Sequence, residues 1–469
     1  MNMINEKIVT IKEIDLPCPQ KPVNRPVFNE KTYKKRIDRL KKIMIQRNLE
    51  HIIIYGDMAN FANIYYLTGI IMKFEQALLI INKSGKPVFI SGNEMIIFCK
   101  SSPLKDIELL LFQPFSLQGQ PHSKSINLDI LLKEAGIKKG ESTGIICNKY
   151  YPYYRDYEKI YDIPHYIMEI IAGITERSNL INCTQLMTDP VFGMRNNLDI
   201  EDIAFLEFSS GLISGGIYNI LKNLETGMNE VEASSLFGYR GELPFFVPWG
   251  IEFGYETLTE IGFPDEASIL KKGDKVVIGT AIWGSCMARS GIFVSNRKEL
   301  ELLYPGIIKN FYFPYFRSIA NWYNTLRIGI NGGELYKSVA DFIENPLYGV
   351  SLNPGHLIHY DEWTNSPVYK FSRDMFHSGI AIQCDYFSHH IQYGTDLILE
   401  DGLVLADEKL KTELNKKYPA LMKRVENRRK FMTGVLGIEL DRSILPLNDL
   451  QAVLMPFMLD IMSVLTIEI

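Results

Sequence analysis

The sequence predicts an α/β (α+β) protein of two domains, the first of them a three-layer α/β unit. Three observations carry this prediction. Between residues 31 and 174, short apolar runs alternate with segments whose apolar residues recur at helical spacing. A chain of 469 residues exceeds one ordinary core, and 46% apolar with 22% charged residues is the balance of a globular protein. A boundary signal lies between Pro190 and Asp199, where Asn197 or Asp199 can cap a helix opening Ile200-Glu201-Asp202.

Taken in order, residues 1–28 are polar, carry four prolines and read as an arm. Ile37, Leu40, Ile43 and Met44 give the segment Lys31 to Asn48 a helical period, and His51 to Tyr55 is a short buried-strand run. Tyr65-Tyr66-Leu67-Thr68-Gly69 leads to a strand over Gln76 to Ile81. The pair Ser84-Gly85 then turns the chain into Pro87 to Glu94. A helix over Leu128 to Ala135, a strand over Ser142 to Cys147 and a long segment from Pro152 to Ile174 follow. Beyond the boundary, the helix from Ile200 runs to Leu224 and stops at Thr226-Gly227, with Glu230 and Glu232 opening another. Asp265 to Gly273 enters a strand, and a charged helix starts at Glu408.

Composition removes several function classes. A net charge of −5 without a dense basic cluster gives no electrostatic case for nucleic acid; Lys34-Lys35-Arg36 with Lys41-Lys42 reads as a solvated helix face. Cysteines 18, 99, 147, 183, 286 and 384 are scattered, and no secretory segment begins at Met1, so reduced thiols in a cytoplasmic protein are expected. The apolar tail Leu450 to Ile469 is broken by Pro456, Asp460 and Glu468 and reads as a packed element, not a membrane span.

Two motifs carry the chemistry. Asn353-Pro354-Gly355-His356-Leu357-Ile358-His359-Tyr360 is followed by Leu399-Glu400-Asp401-Gly402-Leu403-Val404-Leu405. Together they resemble the second half of the creatinase/prolidase/methionine aminopeptidase superfamily, the pita-bread fold of aminopeptidase P. Asn63 to Gly69 and Phe89-Ile90-Ser91-Gly92-Asn93-Glu94 resemble its N-terminal domain. The resemblance implies an arm (1–28), a creatinase-like N-terminal domain (29–190), a pita-bread domain (195–407) and a C-terminal helical extension (408–469).

In the hydrolases of that superfamily two Asp, one His and two Glu hold a metal pair. Here His356 and Glu400 match, but Gly279 and Cys286 fall at the Asp positions and Ile382-Gln383-Cys384 replaces the Ile-Glu-Pro motif. Close cations need carboxylates to offset their repulsion, so no metal and no cofactor is expected on these positions. Either the site works without metal, or it has stopped catalysing, or Asp361, Glu362 and Asp385 rebuild it with His356. Cys286 and Cys384 read as small buried residues unless a neighbour activates a thiol. Arg289 occupies the position of the family's Arg and is a candidate partner for Glu400. His389-His390 reads as a surface pair. Trp249, near Glu252 and Tyr255, stands where creatinase-type enzymes carry a catalytic His, and no His lies between His165 and His356.

What the resemblance implies is a metal-independent hydrolase or lyase acting on a C–N bond of a small substituted amino acid or amidino compound. His356 or His359 would move the proton, with Glu400 as the third catalytic candidate. Arg289, Gln383, Trp249 and Lys73 would bind substrate. The alternatives are an inactive pseudo-peptidase serving as a binding module, and an Xaa-Pro peptidase with a rebuilt metal site. A polar, convergent pocket favours an enzyme; an apolar or collapsed one favours the binding module. The expected partners are a small, charged nitrogenous substrate and a second copy of the chain, with Lys73 reaching across a homodimer axis from a stretch exposing Tyr65 and Tyr66.

Overall fold

The computed structural model of the protein describes residues 8–20, 22, 24–244, 250–254 and 263–468. The chain divides into two compact units, Val27–Arg195 and Met1–Pro26 with Asn196–Ile469. The first strand, β1 (Val9–Glu13), pairs antiparallel with the last, β17 (Ser463–Ile467). The segment read as an arm thus includes a paired strand. Its backbone groups are satisfied in a sheet, and Val9 and Leu16 are buried in the core of the larger unit.

In Val27–Arg195 six strands follow: β2 (His51–Gly56), β3 (Ala77–Asn82), β4 (Val88–Ser91), β5 (Glu108–Leu111), β6 (Thr143–Ile146) and β7 (Leu180–Asn182). They form a mixed sheet in the order β5-β4-β3-β2-β6-β7. β3 is antiparallel to both neighbours, and the β4–β5, β2–β6 and β6–β7 pairs are parallel. Every residue of β2 is buried, which requires cover on both faces. Ile53 and Ile145 share a cluster with Leu131 of the Leu128–Glu134 helix and Ile171 of the His165–Thr175 helix. The Glu30–Gln46 and Ala62–Thr68 helices also pack on this sheet, which makes the third layer.

Local chemistry fixes these elements. The Asn29 side chain accepts from the Thr32 amide (3.2 Å) and starts a helix that buries Tyr33, Ile37, Leu40 and Met44 along one stripe. One expectation is corrected here. Tyr65 and Tyr66 are buried in the Ala62–Thr68 helix, with the Tyr66 hydroxyl donating to the Met194 carbonyl (3.1 Å) and Arg36 over its ring. The long segment from Pro152 resolves into a short 3-10 turn at Tyr157–Lys159 and an α-helix at His165–Thr175, and Asp162 between them accepts the Asn148 and Lys149 amides.

The larger unit carries β8 (Gly250–Phe253), β9 (Lys275–Ile282), β10 (Ser285–Ile292), β11 (His356–Leu357), β12 (Ile380–Asp385), β13 (Ser388–His390), β14 (Thr395–Leu397), β15 (Leu399–Leu405) and β16 (Ile444–Pro446). The main sheet runs β11-β12-β15-β10-β9-β8, with β16 also on β15, and its pairs are antiparallel. Asp199, not Asn197, caps the Ile200–Asn223 helix: its carboxylate accepts the Glu201 and Asp202 amides while Asp202 reaches back to the Asp199 amide. Pro419 divides the charged C-terminal segment into helices Glu408–Lys417 and Pro419–Gly434. The residues after 407 are not an appendage, since β16 lengthens the main sheet and Leu450, Val453 and Leu454 lie in its core. Among the described residues, no helix is long and apolar enough to cross a membrane.

Candidate functional site

Strand register gathers the polar residues of the main sheet. Glu400 stands opposite Ala288 of β10 and Asp385 of β12, and Gln383 stands opposite His356 of β11. Cys286 is two residues before Ala288, and Gln383 two before Asp385, so period-two alternation turns all five toward one face. The alternate residues Cys384 and Asp401 turn to the opposite face, where Cys384 joins the apolar core.

His356 is set by the turn before it. Gly355 has φ +124°, and a Cβ there would lie 2.7 Å from the Gln383 carbonyl oxygen, so only glycine fits. Trp322 Nε1 donates to the Pro354 carbonyl (2.6 Å) and Ser366 Oγ to the Gly355 carbonyl (2.8 Å). After β11 the chain folds back, with the Leu357 amide donating to Asn365 O (2.7 Å) and the Thr364 amide to Leu357 O (2.9 Å). That return loop lays the Trp363 ring on the His356 ring, centroids 4.0 Å apart at 10°. It also carries Glu362 Oε1 to 3.3 Å from His356 Nε2, while Asp385 Oδ2 lies 3.4 Å from the same nitrogen.

Glu400 completes the cluster. The Gln383 amide donates to its Oε1, and the Cys286 thiol donates to its Oε2 (3.3 Å). Burial, reinforced by the charges of Asp385 and Glu362, pushes the Glu400 carboxyl well above the ordinary carboxylate range. Burial also raises Glu362, with Asp385 and Asp361 adding to the rise and His356 opposing it. The Cys286 thiol is driven far up by burial and then by Glu400. For His356 burial disfavours the imidazolium, but Asp385 and Glu362 outweigh it and the net direction is upward. The face opens to solvent at Glu362, whose side chain is 15% exposed, whereas His356 is fully covered.

The expected site residues divide accordingly. His356, Gln383 and Glu400 come together, joined by Cys286, Glu362 and Asp385. His359 faces elsewhere: its Nε2 lies 3.3 Å from Asp202 Oδ1, the oxygen that accepts the Tyr360 hydroxyl (2.6 Å). Arg289 is not the partner of the Glu400 carboxylate. Its Nη2 donates to both Asp401 oxygens (2.7 and 2.9 Å) and to Leu450 O (2.7 Å), on the opposite face of β15. Lys73 lies over the Phe98 ring at 3.8 Å, within its own unit. Trp249 lies outside the described residues. His389 bonds Asp396 (2.5 Å), and His390, expected on the surface, is enclosed by Phe311, Tyr348 and Tyr393. Asp385 and Glu362 were both named from the sequence as possible companions of His356; strand register brings the first to Glu400, and the return loop brings the second to His356.

No protein-family model and no curated protein matches the sequence. Solved structures do match in fold. The prolidase of Pyrococcus horikoshii is 15% identical with a TM-score of 0.58, covering 79% of this chain and 95% of its own. Dipeptidase PepE of Mycobacterium ulcerans is 13% identical with a TM-score of 0.60, covering 82% and 95%. For the X-Pro aminopeptidase of Thermotoga maritima the values are 14%, 0.59, 79% and 95%.

The fold is that of the prolidases and Xaa-Pro aminopeptidases. A family-type metal pair does not fit the matching positions. Gly279 has no side chain, and among the described residues nothing lies within 4 Å of the Cβ it would carry. Gln383 offers a neutral amide already committed to Glu400. No step is assigned to a metal pair.

Two stability predictions follow from residues that lie off the cluster. Arg289→Met strands the buried Asp401 charge and is expected to cost about 3–5 kcal/mol in urea unfolding, and adding Asp401→Leu should recover much of that loss. His390 has a lowered pKa, from burial first and then from the neighbouring His389. The unfolded chain takes up a proton below about pH 6.5 that the folded ring refuses. Stability should therefore be present above that pH and fall as pH drops below it, and His390→Phe should flatten the slope of ΔG against pH.

Proposed function

We propose that the protein is a hydrolase that cleaves a C–N bond in a small, charged nitrogenous compound, a substituted amino acid or amidino compound. One observation carries the reading: His356, Glu362, Asp385 and Glu400 converge on a single sheet face in a peptidase fold. A face of that polarity favours an enzyme over a collapsed binding module. The reaction adds water across the bond: oxygen joins carbon, the C–N bond breaks, and the departing nitrogen takes a proton.

Glu362 is the group placed to move that proton. It is the cluster carboxyl on the return loop, the one with a side chain 15% exposed, and it lies 3.3 Å from His356. His356 and Glu400 are held more rigidly, the first by Trp363 stacking and the second by Gln383 and Cys286, and they orient the reacting group. The role given to His356 on sequence thus passes to Glu362, and a substrate carboxylate is not assigned to Arg289.

A pseudo-peptidase that binds without turnover is the second reading, favoured by Gly279 and Gln383 at the family's ligand positions. Incubation with N-substituted amino acids, amidino compounds and Xaa-Pro dipeptides, followed by mass-spectrometric detection of the split products, separates the two. Turnover of one class is expected, with Glu362→Gln and Glu400→Gln each lowering kcat by on the order of 10² to 10⁴ while melting cooperatively. No turnover of any class, or Glu362→Gln within a few-fold of wild type, would count against the hydrolase.

A further inference from the structure

We propose that this face binds one divalent cation of the zinc class through His356 Nε2, Asp385 and Glu400, a donor set different from the family's. The inference rests on the same cluster as the proposed function and deepens it. Donor atoms of His356, Asp385 and Glu400 all lie within 4.8 Å of one another, and all three residues are buried. Asp385 is not a family ligand position; it takes over the work that Gln383, two residues earlier, cannot do.

The state of His356 is the independent observation. Its ring is fully buried, and among the described residues Nε2 finds no hydrogen-bond partner, although carboxylate oxygens stand 3.3 and 3.4 Å away. Neither oxygen lies where an N–H would point. The other nitrogen, Nδ1, is 3.4 Å from the Leu357 carbonyl oxygen, which can only accept. With Nδ1 directed at that carbonyl, Nε2 is the nitrogen left to take a cation seated between the ring and the carboxylate oxygens. Metal-bound histidines ordinarily donate the second ring nitrogen to a carbonyl or carboxylate in this way.

Spacing and charge agree. Donors held about 2.0–2.1 Å from one tetrahedral centre stand about 3.4 Å apart, which is the His356–Asp385 separation. Among the described residues, no Lys or Arg side chain pairs with the carboxylates of Glu362, Asp385 or Glu400; Arg289 is engaged by Asp401 on the opposite face. Asp385 Oδ1 is also buried without a partner among the described residues. Apart from the His356 ring, an opposite charge for these carboxylates would have to come from a bound ion. One imidazole with two carboxylates suits zinc and leaves a fourth position open, beside Glu362. Cys286 stays behind Glu400 as its hydrogen-bond donor.

The test uses the full chain, stripped with EDTA and then titrated with Zn²⁺ alone by calorimetry and with Co²⁺ by absorption. About one ion per chain is expected, with quenching of Trp363 emission that disappears in Trp363→Phe. Asp385→Asn and His356→Ala should each weaken binding by at least roughly 10- to 100-fold, the loss that even outer-shell partners produce. Asp385→Asn is isosteric, so it remains informative if His356→Ala fails to fold. No saturable binding, two ions per chain, unchanged affinity in folded Asp385→Asn, or an intense thiolate-to-cobalt band from Cys286 would overturn the donor set. Turnover that survives EDTA would sink the cation and leave the hydrolase; a bound ion without turnover would do the reverse.

Discussion

The ion pair between Arg289 and Asp401 is the contact on which the larger unit depends. Both side chains are fully buried, and they join β10, β15 and the loop at 448–452. Asn448 Nδ2 and the Ala452 amide also donate to the Asp401 carboxylate, at 2.9 and 2.8 Å. Desolvating two charges costs several kcal/mol, and the attraction repays it only when further hydrogen bonds meet the pair; here both Asp401 oxygens and both Arg289 Nη atoms are bonded, and the buried Nε is not. Neighbouring Asn448 bonds Gln451, and Gln451 in turn bonds the Tyr323 hydroxyl, so the network reaches the Phe313–Thr325 helix.

That pair also explains why adjacent acidic residues have opposite surroundings. On β15, Asp401 turns to a face where guanidinium, carboxamide and amide donors meet it, whereas Glu400 turns to a face crowded with other carboxyls. A strand cannot move one without moving the other. Clamping Asp401 from the rear therefore fixes the height and direction of Glu400. Among the described residues of the cluster Glu362 is the most exposed, and it sits on a loop whose Thr364 and Asn365 each make a backbone bond to Leu357.

The architecture was legible because it is written in local patterns. The first helix follows from its apolar spacing, the helix at Ile200 from capping chemistry, and the buried strands from short apolar runs with turn residues between them. The motifs around His356 and Glu400 pointed to a shared face, and strand register brings them there. What remained hidden depends on long-range partners. Arg289 and Glu400 look like complements until Asp401, Asn448 and Leu450 are seen around the guanidinium. Tyr65 and Tyr66 look like surface residues until the helix they form is packed. His389 and His390 look alike in sequence, yet strand alternation places one against Asp396 and the other among three aromatic rings.

The pairing of β1 with β17 has a mechanical consequence. The strands run antiparallel with Val9 opposite Ile467 and Glu13 opposite Ser463. Chain arriving at β1 and chain leaving β17 therefore do so at the same end of the ribbon. Tension carried through both would load the hydrogen bonds one rung at a time, starting at Val9, rather than shearing all of them together. The larger unit would open like a zip at this seam, at low force, while the buried ion pair behind it was still closed.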